Sequence, residues 1–345
     1  MRVLLLHLDG KLPNVALMRL SSHHKALGDE VVFRRAGNPV QVEVKLWDPA
    51  FDRVYASLIF TDTRPLARRV LEIYPHALLG GYGWDPERSR PLESIGITTR
   101  EQDYSLYPGF SASIGFTQRG CRLRCSFCGS RFEGKVQAEQ SIRHLYRGEP
   151  WPKHLHLLDN DFFGQGNWRS LIADIRGGGF RVCFNQGINI RFLTDETAGA
   201  IASVKFSDDQ FRRRRIYTAW DNRKDQERVF AGLKLLVAHG VKPDEIMVYV
   251  LVGYDHEQRA GRARLVPDDF YRWQELRAFG CRPYPMPFIR NKQTVGFQRW
   301  IVGAYDKRVS WADWERAGYR PAGLGELEMD SAGGNLIEPE EEHSA

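Results

Sequence analysis

Short apolar runs alternate with amphipathic, helix-forming stretches along most of this chain, and that alternation limits the fold more than any other feature. Arg2 to Leu8, Glu30 to Phe33 and Val54 to Phe60 read as strands. A helix is predicted over Pro13 to Leu27 and a shorter one over Pro65 to Ile73, and Ala77 to Leu79 leads into Gly80-Gly81-Tyr82-Gly83. Buried strands joined by crossover helices belong to a parallel sheet covered on both faces. The N-terminal part therefore predicts a small doubly wound unit. Its ligands are expected beyond the carboxyl ends of the strands, at Asp9-Gly10 and Gly80-Gly81.

Residues 86–110, with Pro86, Pro91, Tyr104, Tyr107 and Pro108, have weak periodicity and read as a connector across the surface. The rhythm then restarts. Strands are predicted over Ser113 to Thr117, His154 to Leu158, Val182 to Phe184, Ile216 to Trp220, Ile246 to Val252 and Tyr284 to Phe288. Helices are predicted over Trp168 to Ile175, Asp195 to Val204, Asp225 to His239 and Asp268 to Phe279. About six such β/α repeats predict a parallel, barrel-like sheet smaller than the eight-fold barrel, with active residues at its carboxyl strand ends. The expected domains are 1–105, 106–290, a helical cap over 291–325 holding Trp300, Trp311 and Trp314, and an acidic mobile tail over 326–345.

Composition narrows the class. Hydrophobic residues make up 42% and charged residues 27% of the chain, which excludes a wholly disordered, collagen-like or disulfide-scaffold protein. The apolar runs are far shorter than the roughly 20 residues needed to cross a bilayer. With no secretory pattern at Met1 to His7, a cytoplasmic protein with no membrane partner is expected. Net charge is +6, but seven acids and no Lys or Arg lie between Glu326 and Ala345, which leaves +13 on residues 1–325. That balance suits an anionic or nucleotide-derived substrate, and equally a basic soluble surface. Arg212 to Arg215 precede a strand, on the side opposite the expected chemistry, and read as a solvated cluster rather than a nucleic-acid contact.

Three of the five cysteines, Cys121, Cys125 and Cys128, fall within eight residues after the strand at Ser113 to Thr117. One tight loop can thus present three thiolates to one small object. A [4Fe–4S] cube normally takes four Cys ligands, so three leave one iron open to a non-protein ligand. Structural zinc would need a fourth ligand from His154, His156, Cys183 or Cys281, none at zinc-finger spacing. Cys183 lies within a strand and Cys281 just before one, and both read as buried apolar residues.

The segment Cys121-Arg-Leu-Arg-Cys125-Ser-Phe127-Cys128 resembles the cluster motif of the radical S-adenosylmethionine superfamily, over residues from about 111 to 290. The resemblance implies a [4Fe–4S] cluster on the three cysteines. It also implies S-adenosylmethionine on the open iron, one-electron cleavage to methionine and a 5′-deoxyadenosyl radical, and hydrogen abstraction from an unknown substrate. Methyl or methylthio transfer is one outcome of that chemistry. An electron donor such as flavodoxin or ferredoxin is implied as partner. In the same resemblance Phe127 flanks the cluster, and Asp159, Asn160 and Asp161 hold the methionine amino group. Gln186, Asn189 and Arg191 hold ribose and carboxylate, and Leu251 and Gly253 pack on adenine. Helix capping is the alternative role for Asp159 to Asp161 and for Asp221-Asn222, and a surface position is the alternative for Arg191. Tyr249 stands where that family often has Gly.

The N-terminal unit resembles the cobalamin-binding domain of a large branch of the superfamily, through its opening strand, Leu12-Pro13-Asn14, His24-Lys25 and Gly80-Gly81. It lacks the Asp-x-His-x-x-Gly segment that supplies an axial imidazole. Cobalamin binding and a degenerate domain used for substrate recognition or packing are the two alternatives, and the missing segment favours the second. The expected fold class is α/β, with an N-terminal doubly wound (flavodoxin-like) parallel sheet followed by a partial (β/α)6 barrel. A reading from another class is a non-catalytic, metal-stabilised nucleic-acid-binding protein that uses the basic surface.

Overall fold

The computed structural model describes residues 1–43, 50–85 and 91–320. The expected acidic tail lies outside the described residues. The fold is α/β with parallel sheets, in two compact units, Met1–Leu155 and His156–Ala345. Among the described residues no helix is long and apolar enough to cross a membrane.

The first unit opens with β1 (Arg2–His7), α1 (Val15–Ala26), β2 (Glu30–Arg35), α2 (Pro39–Val42), β3 (Arg53–Ser57), α3 (Arg64–Ile73) and β4 (Leu78–Gly80). The strands are ordered β2-β1-β3-β4 and all pair in parallel. Val3, Leu4, Leu5 and Leu6 have no exposed surface, because β1 is central and covered on both faces. Alternate residues divide between two cores. Leu4, Leu6, Leu8, Val54, Ala56 and Leu58 pack with Leu66 and Val70 of α3. Val3, Leu5 and Tyr55 pack with Leu17 and Leu20 of α1.

Two departures from the sequence reading have local causes. Strand β3 stops at Ser57 rather than Phe60, because the Asp9 carboxylate accepts the amides of Ile59 (2.7 Å) and Phe60 (2.9 Å). The connector does not simply run over the surface. Ile97 enters the α1-side core, and Arg19 of α1 donates to Thr99 O at 2.7 Å. Tyr107 is buried among His7, Asn14 and Phe33.

The Tyr107 hydroxyl accepts from the Asn14 amide (3.2 Å) and lies 3.1 Å from His7 Nδ1, so the buried imidazole has a polar partner on that side. Burial, reinforced by Arg35, lowers the His7 pKa to about 4. Between about pH 6.5 and 4 the unfolded chain takes up a proton that the folded one refuses, so stability falls as pH falls. The loss reaches about 3 kcal/mol below that window and is absent above it. Urea midpoints at pH 7, 5.5 and 4 should show this loss in the native chain and a flatter profile in His7→Gln. Equal slopes would remove His7 as the cause.

The first unit continues with β5 (Ser113–Gly115), β6 (Gln118–Arg119), β7 (Gln137–Ala138) and α4 (Ile142–Leu145). The run predicted as one strand over Ser113 to Thr117 is thus β5 alone. The second unit begins within β8 (His154–Leu157) and holds α5 (Trp168–Gly177), β9 (Arg181–Phe184), α6 (Asp195–Ala202), β10 (Lys205–Phe206), β11 (Ile216–Ala219) and α7 (Gln226–Ala238). It ends with β12 (Ile246–Val252), β13 (Tyr254–Asp255), β14 (Ala260–Gly261), α8 (Pro267–Phe279), β15 (Arg282–Pro287), α9 (Lys292–Val302) and α10 (Trp311–Arg316).

Strand β9 lies between β8 and β10, and β12 lies between β11 and β15 in a parallel sheet. The loop after β9 bridges to β11. There the Ile188 amide donates to Tyr217 O (2.8 Å) and Thr218 Oγ1 donates to Ile188 O (2.9 Å). Strand β10 and the β13–β14 hairpin were not anticipated, being only two residues a side. In the C-terminal helices Trp300 and Trp314 are buried, and Trp273, Phe297, Trp300 and Trp311 form one aromatic cluster.

Candidate functional site

The three clustered cysteines sit on the excursion between β6 and β7, which pair antiparallel as Gln118↔Ala138 and Arg119↔Gln137. Gly120 enters the excursion at φ +81°, and a Cβ there would lie 2.3 Å from Lys135 O, so only glycine fits. The Cys121 amide donates across the loop to Gly134 O (3.4 Å), and the Cys128 amide donates to Cys125 O (3.0 Å), closing a turn around Ser126 and Phe127. The Leu123 amide points at Cys121 Sγ (3.4 Å), and Ser130 Oγ lies 3.0 Å from Cys128 Sγ. Arg131 donates to Ser126 O. Phe127 is half-buried.

None of the five cysteines is in a disulfide. Cys121, Cys125 and Cys128 are partly exposed, whereas Cys183 and Cys281 are buried. Burial pushes the Cys281 thiol up to about 12 and the Cys183 thiol up as well, so neither supplies a thiolate readily. Among the described residues no group of three or more His, Cys, Asp or Glu side chains is gathered as a metal site. The three sulfurs share one loop.

In the second unit the expected residues lie at the carboxyl ends of β8, β9 and β12. Asp159 and Asp161 are buried after β8 and Asn160 is half-buried beside them. The turn that follows closes through the Gly164 amide on Asp161 O at 2.8 Å. After β9, Gln186 is exposed and Asn189 half-buried. Arg191 ion-pairs with Asp225 at the start of α7 (2.8 Å), so it is neither a plain surface arginine nor uncommitted. Near the end of β12, Leu251 is half-buried. Gly253 has φ +70°, and a Cβ there would come 2.8 Å from Arg262 O.

Leu251 and Gly253 are held by a buried network that the sequence reading missed. Arg272 of α8 donates to Trp220 O (2.9 Å), Asp221 O (2.8 Å), Leu251 O (2.8 Å), Asp268 O (3.2 Å) and Asp269 Oδ1 (2.6 Å). One guanidinium thus ties the carboxyl ends of β11 and β12 to the first turn of α8. Asp269 accepts the Gly253 amide (3.5 Å) and Asp221 accepts the Leu251 amide (3.2 Å). Burial raises the Asp221 pKa against the opposing pull of Arg272. Asn222 caps the turn before α7 by accepting the Lys224 amide at 3.0 Å. A polar cavity of about 1270 Å³ opens here, lined by Asp221, Lys224, Phe230, Lys234, Tyr254 and His256 among others. The only sequence signal for the network was the acid-acid-x-x-Arg spacing of Asp268, Asp269 and Arg272.

The arginine run before β11 is not simply solvated. Arg214 pairs with Glu245 (3.0 Å), while Arg215 is 4% exposed and donates to Asp244 O (3.3 Å). No protein-family model, no curated protein and no solved structure matches the chain.

Proposed function

We propose that the chain is a radical S-adenosylmethionine enzyme that generates a 5′-deoxyadenosyl radical and abstracts hydrogen from its substrate. The observation that carries this reading is the loop of three partly exposed cysteines, none in a disulfide, closed by its own backbone hydrogen bonds. Three thiols without a fourth suit a [4Fe–4S] cluster with one open iron better than structural zinc. The Leu123 amide on Cys121 Sγ is the type of contact that stabilises a thiolate ligand. Cys121, Cys125 and Cys128 would hold the cluster. When bound, it supplies the electron that cleaves the S-adenosylmethionine sulfonium.

The chain's own residues bind and orient in this reading. Buried Asp159 and Asp161 offer acceptors to an ammonium, and Asn160, Gln186 and Asn189 offer polar contacts. The bond to Asp225 sets the place of Arg191, and the Arg272 network fixes the backbone of Leu251 and Gly253 against an adenine. The strand order β2-β1-β3-β4, with cores on both faces, supports a flavodoxin-like first unit. The parallel strands with alternating helices support a partial (β/α)6 barrel. We further propose the cytoplasm as location, with flavodoxin or ferredoxin as electron donor. Anaerobic reconstitution followed by incubation with S-adenosylmethionine and a reductant tests the reading. Methionine and 5′-deoxyadenosine are the expected products, and an iron-loaded protein that yields neither would overturn it.

A further inference from the structure

The carboxyl edge of the first sheet reaches the cysteine loop through one side chain. Gly81 (φ +94°) and Gly83 lie against the backbone beyond β3. A Cβ at Gly81 would meet Leu58 O at 2.1 Å, and one at Gly83 would meet Phe60 O at 2.5 Å. The Leu58 amide donates to Gly80 O (3.1 Å) and the Gly83 amide to Leu58 O (3.2 Å), while Asp9 holds the amides of Ile59 and Phe60. The turn between these glycines is therefore fixed to the sheet, and Tyr82 projects from it.

Tyr82 packs on Gly129, the residue after Cys128, where a Cβ would stand 3.1 Å from the ring. Its hydroxyl donates to Glu133 Oε1. Glu133 Oε2 accepts the amide of Gly120, the residue before Cys121, at 2.9 Å, and Arg119 pairs with Oε1 at 3.3 Å. The entry to the cysteine loop thus meets the Glu133 carboxylate, its exit meets the Tyr82 ring, and the Tyr82 hydroxyl joins the two.

We propose that Tyr82 and Glu133 are positioning residues that clamp the three-cysteine loop and set the potential of whatever cluster it carries. On this account the edge expected to take a ligand serves instead as a protein support, with Tyr82 filling the approach. The proposal rests on the reading of the loop as a cluster site. It also makes a claim about the cluster-free loop, so the two can fail separately.

Glu133 places a negative charge beside the loop, and Tyr82, Gly120 and Arg119 compensate it. Net charge and hydrogen bonds near a cluster set its potential. Tyr82→Phe keeps the ring on Gly129 but removes one donor, so the less compensated carboxylate should move the midpoint potential to more negative values. Glu133→Gln removes the charge and should move it to more positive values. A purely structural role predicts no such opposition of sign.

The test has two parts. In the cluster-free protein, hydrogen exchange at the Gly120 and Cys121 amides should quicken about tenfold in Tyr82→Phe, the loss of one charge-assisted bond. In the reconstituted protein, redox titration followed by electron paramagnetic resonance should give the two opposite shifts. Unchanged exchange, or shifts of the same sign, overturns the clamp even if the native chain assembles its cluster. A native chain that assembles none, with exchange quickened as expected, overturns the cluster reading and the potential-setting role but leaves the clamp.

Discussion

Cys125→Ala is expected to keep its fold and to lose the cluster completely. The backbone contact at this position, the Cys128 amide on Cys125 O, survives the substitution, and the side chain is only partly buried. The thiolate does not survive it. With three thiols for a cube that normally takes four, the loop has no ligand in reserve. Cys183 and Cys281 are no substitutes, being buried in strand and helix-end packing with thiols pushed well above neutrality. Iron after anaerobic reconstitution should fall from about four per chain to a background level, and 5′-deoxyadenosine formation should vanish with it. Circular dichroism should be unchanged. A Cys125→Ala protein that still assembles a full cluster would show that the ligands lie elsewhere.

The second large effect belongs to Arg272. Replacing it with Ala takes the guanidinium donor from the Trp220 and Leu251 carbonyls, leaves Asp221 O with only its contact to His256 Nε2 (2.7 Å), and leaves the Asp269 carboxylate, 1% exposed, without its counter-charge. Removing one partner of a buried pair costs about 3–5 kcal/mol, which corresponds to a melting temperature lower by roughly 10 °C. Arg272→Lys should recover little, because a single ammonium cannot reach acceptors on three elements at once. Asp269→Asn should cost less, since the amide still accepts from the guanidinium. Differential scanning calorimetry of the three variants orders them. A loss under about 1 kcal/mol in Arg272→Ala would mean that the strand ends are held by other contacts.

Much of the fold could be read from the chain because it depends on local periodicity. The unbroken apolar run of β1 and the continuous burial of β3 after Arg53 follow from strands covered on both faces, and the apolar run of β12 was equally visible in sequence. Gly80-Gly81-Tyr82-Gly83 stood out as a turn for the same local reason. What escaped notice was set by partners far along the chain. Asp9 ends β3 from 50 residues away, Tyr107 reaches His7 across 100, and Arg272 meets Trp220 across 52. No window of neighbouring residues contains both members of these pairs. The cysteine spacing was legible, but the clamp on it was not, since Tyr82 and Glu133 are 51 residues apart and neither belongs to the motif. The connector was misjudged because weak periodicity in residues 91–110 concealed two anchors, Ile97 and Tyr107, that are buried.

In the proposed enzyme the loop at Cys121, Cys125 and Cys128 carries a cube of iron and sulfide rather than a single metal ion. Metal analysis with acid-labile sulfide determination on the protein purified and reconstituted without oxygen distinguishes the two. About four irons and four sulfides per chain, with a broad visible charge-transfer band, are expected. One zinc per chain, with no iron, no sulfide and no colour, would contradict this and point to a structural metal in a non-catalytic protein.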